Sequence, residues 1–103
     1  MKKLLFISQP MKDKTDEEII TVREQAIRSA KKFLGEDVEV IDSFFQGVPH
    51  GAKPLWYLAK SIELLSMADA AYFADGWEDY RGCQIEHQCA VQYGINIVGE
   101  SEE

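Results

Sequence analysis

The sequence predicts an α/β domain in which four parallel strands are covered by three helices. Two observations carry this. Short apolar runs alternate with longer helix-period stripes in the order βαβαβαβ, and such alternation implies a parallel sheet with right-handed crossovers. The stripes are also closed by helix stop signals, so the elements are separate units rather than one long pattern.

Residues 3–8 (KLLFIS) are apolar on both faces, as central parallel strands are, and Pro10 ends the run because it cannot donate to a ladder. Thr15-Asp16-Glu17-Glu18 is a capping-box sequence. The helix it opens carries Ile19, Val22, Ala26, Ile27, Ala30, Phe33 and Leu34 at helical spacing, and Gly35 stops it. Residues 38–41 (VEVI) form a second strand. Residues 42–54 are a long connection of the kind that often binds ligands or closes over them. The next helix spans 55–67, with Leu55, Leu58, Ala59, Ile62 and Leu65 on its inner side. Residues 70–73 are the third strand, 83–93 the third helix, and Gly94 leads into a fourth strand at 95–98. The tail, 99–103, is expected to fray. The whole is a small doubly wound, Rossmann-like (flavodoxin-like) three-layer fold with strand order 2-1-3-4. Its switch point brings the loop after Ser8 and the loop after Phe73 to one crevice.

The 103 residues suit one domain, 1–103. An apolar share of 46% with 28% charged residues is that of a globular protein. The formal net charge of −7 argues against nucleic-acid binding, which needs a basic footprint. Small anions are still admissible, since Lys12, Lys14 and Arg81 fall in loops. Cys83 and Cys89 lie on different faces of one helix, so they stay as free thiols, which suits a reducing compartment. The first apolar run is about six residues, shorter than a signal core, and no run reaches the roughly 20 residues of a membrane span. A cytoplasmic protein without membrane contact is expected.

The stretch from Asp69 to Gly94, DAAYFADGWEDYRGCQIEHQCAVQYG, concentrates the chemistry. Glu86, about one turn into the third helix, is a carboxylate that the helix dipole would keep ionised, which suits a nucleophile. The bland alternative is a solvated first-turn glutamate. Asp75, just past the strand end, is the second carboxylate, and such a pair divides attack from proton transfer. Asp69 precedes the strand and reads as the end of the second helix, and Glu78 and Asp79 as an exposed acidic turn. Gly76 and Gly82 permit a tight turn or a close approach to ligand. Trp77 is either a base-stacking surface or a loop anchor. Cys83 and His87 share zinc spacing, but no second ligand pair exists and His50 alone does not supply one, so no metal is expected. Neither a dinucleotide fingerprint nor a phosphate loop is present, and no cofactor is expected.

FISQPM resembles the Y-[IL]-S-G-P-M opening of the nucleoside 2-deoxyribosyltransferase-like superfamily. The stretch from Asp69 to Gly94 resembles its second signature, D-x-[VIL]-x-x-L-[PD]-G-W-x-x-S-x-G-x-x-x-E-x-x-x-A-x-x-x-G. The chain is most similar to the small branch labelled DUF4406, in which GW…RG…EH is common. The resemblance implies cleavage of the N-glycosidic bond of deoxynucleosides or their monophosphates. Glu86 would attack C1′, and another base or water would resolve the glycosyl-enzyme, the logic of retaining glycosidases. It also implies Asp75 near the leaving base, with Ser8, Gln9, Pro10 and Met11 as the floor near the sugar. Gly82 would give amides to the sugar or its 5′ group, and Gly76, Trp77, Tyr80 and Arg81 complete the binding set. Three positions depart from the pattern: Gln9 and Gln84 stand where relatives carry Gly, and Tyr80 where they carry Ser or Asp.

The expected partner is therefore a small nucleoside or nucleotide, and the chain is expected to form a homo-oligomer, a dimer or higher. The alternatives are a nucleotide-binding sensor or regulator without turnover, and an interaction protein presenting Phe44, Phe45 and Trp56 as an apolar patch.

Overall fold

The computed structural model describes residues 2–10, 14–41 and 49–98. Among them lie β1 (Lys3–Ser8), α1 (Asp16–Leu34), β2 (Val38–Val40), α2 (Pro54–Leu65), β3 (Ala70–Phe73), α3 (Arg81–Gln92) and β4 (Asn96–Ile97). A single 3₁₀ turn, Trp77–Asp79, precedes α3. The sheet is parallel throughout with the order β2-β1-β3-β4, as the alternation predicts.

Side-chain alternation along β1 and β3 sorts the core into two layers. Leu5 and Ala70 pack with Ala26 and Ala30 of α1 and with Val38. Phe6 and Ala71 point the other way and pack with Leu65 and Ala90, which α2 and α3 supply. The alternation is strict because successive strand side chains face opposite sides of a sheet. Ser8, two residues after Phe6, therefore faces α2 and α3. It is buried, and in register it sits beside Phe73. This fixes the position of the site.

Helix α1 starts and stops where its sequence signals say. Thr15 Oγ1 accepts from the Glu18 amide at 3.1 Å, and Glu18 Oε1 accepts from the Thr15 amide at 3.0 Å. At the other end Gly35 takes φ 73 and closes on the Lys31 carbonyl at 2.8 Å. Thr15→Ala is expected to cost about 1 kcal/mol in a denaturant titration. A loss below a few tenths would mean that tertiary contacts alone hold this end.

The other boundaries shift by one or two residues. Helix α2 starts at Pro54, whose missing N–H is an orphan at N1 in any case. It stops at Leu65 with Ser66 as cap, short of the expected 67. Its inner face also differs. Leu55 is 73% exposed and Ala59 is exposed, whereas Leu58, Ser61, Ile62 and Leu65 turn inward. Helix α3 begins at Arg81 rather than 83, because the extended backbone of Tyr80 ends at that residue. Strand β4 narrows to two residues, and β2 loses Ile41, although the Ile41 amide still donates to the Leu5 carbonyl at 2.9 Å. Asp69 does not cap α2: its Oδ2 accepts from the Leu4 amide at 2.8 Å and its amide donates to the Leu4 carbonyl, which extends the β1–β3 pairing. No helix among the described residues is long and apolar enough to cross a membrane.

Candidate active site

The C-terminal ends of β1 and β3 lie side by side, and the Ala74 amide donates to the Ser8 carbonyl at 2.9 Å just past them. The backbone then reverses through Gly76 at φ 89, a left-handed conformation that favours glycine. The 3₁₀ turn follows and delivers the chain to the start of α3. Cys83, Glu86 and Ala90 form the buried stripe of that helix. A carboxylate thus occupies a position in a stripe otherwise made of small, weakly polar residues.

Glu86 is 8% exposed, and Ser8 Oγ donates to its Oε1 at 2.7 Å. Burial pushes the carboxyl above its ordinary value, while hydrogen bonds from Ser8 and then Ser61 pull it back. The dipole argument does not govern here. Glu86 is the sixth residue of a helix that starts at Arg81, and the dipole's influence fades beyond the first turn. The Cys83 thiol is also raised by burial, against a hydrogen bond with Ser8.

Two adjoining crevices meet at Glu86, and both are also lined by Ser61 and Gly82. One, of about 360 Å³, adds Ser8, Gln9, Pro10, Tyr80 and Cys83. The other, of about 600 Å³, runs between α2 and α3 and adds Lys53, Leu55, Tyr57 and Arg81. Volumes in this range suit a small organic ligand. A Cβ at Gly82 would meet nothing within 4 Å, so the position borders open space.

The structure thus gathers Ser8, Gln9, Pro10, Tyr80, Gly82 and Glu86 in one crevice and places Arg81 in the adjoining one. Asp75 stands elsewhere. It is exposed and lines a separate crevice of about 190 Å³ on the α1 side, with Lys14 and Tyr72. Gln9 and Pro10 are common to both sides and separate the two carboxylates. The Asp75 charge adds to burial in raising the Tyr72 phenol. Trp77 is committed internally: its ring stacks on His87 at 4.0 Å between centroids, and Phe73 meets His87 edge-on at 4.8 Å. His87 therefore faces an aromatic cluster while Cys83 faces Ser8, and the pair does not converge as zinc ligands would. Gln84 is exposed, and its side-chain amide donates to the Glu78 carbonyl, outside the crevice. Glu78, Asp79 and His50 are exposed. Met11, Lys12, Phe44 and Phe45 lie outside the described residues.

Ser61 was not among the residues singled out from sequence. Its signal was a hydroxyl between Leu58 and Leu65 on a helix stripe, visible once Leu55 and Ala59 are set aside as outward-facing.

No curated protein and no solved structure matches the chain. A family model does match, that of the Domain of unknown function (DUF4406), over residues 4–99. That span takes in the two strand ends, Ser61, Tyr80, Gly82 and Glu86, and the chain belongs to the DUF4406 family.

Proposed function

We propose that the protein is an N-glycosyl transferase or hydrolase acting on deoxynucleosides or their monophosphates, akin to nucleoside 2-deoxyribosyltransferases, with Glu86 as nucleophile. One observation carries this reading: a buried carboxyl, held by Ser8 at 2.7 Å, lines an open crevice at the sheet's switch point. A Glu86 carboxylate oxygen attacks C1′ of the sugar and forms an ester bond. The C1′–N bond breaks, and the base leaves with the electron pair and takes a proton from water. Water or a second base then attacks C1′, gives its proton to the hydroxide left by the first step, and displaces the carboxylate with its electron pair, which restores Glu86. Asp75 takes part only with a substrate that reaches past Gln9 and Pro10.

A second reading, nucleotide binding without turnover, is favoured by the burial that raises Glu86, since a protonated carboxyl donates a hydrogen bond instead of attacking. The Tyr80 side chain in the crevice favours it too. A panel of deoxynucleosides and their 5′-monophosphates, assayed by chromatography for free base, separates the two. Free base together with a deoxyribosyl mass increment on Glu86 is the expected result. Thermal stabilisation by a panel member without free base would favour binding alone. Neither effect with any member would sink both readings.

A further inference from the structure

The side chain of Gln9 holds an acceptor that neither the fold nor the reaction above uses. We infer that Gln9 is a specificity-determining residue: its amide oxygen accepts from the amino group of a bound base, so that adenine and cytosine are taken in preference to their oxo counterparts. The inference rests on the reading of the crevice as a deoxynucleoside site and names the bases it takes.

Gln9 follows Ser8 at the end of β1, is half-buried, and lines both the Glu86 crevice and the Asp75 crevice. Its Nε2 donates to the Ile19 carbonyl of α1 at 3.4 Å, while its Oε1 is buried and has no hydrogen-bond partner among the described residues. A carbonyl only accepts, so the Ile19 contact turns the nitrogen toward α1 and settles which end of the amide is the oxygen. The adjoining residues cannot supply the missing donor. Pro10 has no N–H, and the Ser8 hydroxyl is committed to Glu86 at 2.7 Å. A buried acceptor without a donor is costly, and native structures keep few of them without a use. The geometry of the reaction supplies that use. Glu86 attacks C1′ from the side of α2 and α3, and the base leaves from the opposite face of the sugar. Gln9 reaches toward α1, away from Glu86, and so stands on the side of the leaving base. Its Nε2 contact is longer than an ordinary hydrogen bond, and the last torsion of a glutamine is soft. A small turn therefore brings the oxygen to the crevice wall, where an amino N–H meets it.

The test is a thermal-shift titration with two matched pairs, deoxyadenosine against deoxyinosine and deoxycytidine against deoxyuridine, each also as the 5′-monophosphate. Within a pair, an oxo group replaces the amino group and leaves the sugar unchanged. In the wild type the amino member of at least one pair should bind at least roughly tenfold more tightly, since the oxo member sets an acceptor against an acceptor. Gln9→Met, similar in length but without the amide, should bring that ratio close to one. Gln9→Gly should do the same, and it keeps the test open where the methionine variant fails to fold. Equal binding within both pairs, binding by no member, or a preference that survives in the variants would each overturn the inference. A preference that depends on Gln9 but comes without free base leaves the inference standing and sinks the catalytic reading. Free base released by the wild type at equal rates from both members of each pair does the reverse.

Discussion

Glu86→Gln should lower the release of free base by at least roughly 1,000-fold, the scale on which loss of a covalent nucleophile is felt. The same substitution should make the protein more stable at neutral pH. Burial raises the Glu86 carboxyl above its ordinary value, so the fold favours the protonated form. Its stabilising contribution is complete below the ordinary carboxylate range and is lost as pH rises through the folded-state value. Glutamine keeps an acceptor for Ser8 and has nothing to ionise. The melting temperatures of variant and wild type should therefore nearly coincide near pH 4 and separate in the variant's favour toward neutrality. A gap of the opposite sign would mean that Ser8 and Ser61 more than offset the burial. Such an exchange of stability for a poised group is common at working sites.

Leu5→Ala is expected to cost about 2–5 kcal/mol, the range for a buried leucine whose surroundings collapse only in part. Leu5 has 0% exposure and is the largest fully buried side chain among the described residues. Its neighbours explain why collapse is limited. Ala26, Ala30 and Ala70 are already short, so α1 lies close to the sheet and has little left to move inward. Domains of this size hold about 5–15 kcal/mol in total, so one substitution removes a large part of it. Denaturant midpoints should fall with the slope unchanged. A loss under about 1 kcal/mol would mean that this layer relaxes freely.

How much of this was legible in the sequence depended on how local the deciding physics is. Thr15, Glu18 and Gly35 act on their own helix ends, so the span of α1 could be read directly. Strand order followed from alternation and crossover handedness, which constrain topology without naming a contact. The α2 face was harder. Apolarity drew Leu55 and Ala59 inward on paper, but the first turn of α2 lies at a crevice mouth, and the rotation that buries Leu65 also brings in a serine. The placement of Asp75 was not legible either. Period-two alternation ends with the strand, and the left-handed step at Gly76 comes after Asp75 has already turned to the α1 side. The sequence points to Glu86 as a carboxylate held ionised by the helix dipole, whereas it sits beyond the first turn of α3 and burial pushes its carboxyl up.

The Ser8–Glu86 hydrogen bond joins residues 78 positions apart, one on the central strand and one on the last helix. Closing so long a segment is entropically unfavourable until most intervening contacts exist. The bond therefore belongs to the late stages of folding, and high average contact separation slows their approach. A partly folded chain, even one with α1 and the β1–β2 pair in place, would carry Ser8 without Glu86. The pair is thus completed only once α3 docks against β1, and an intermediate lacking that docking does not hold it.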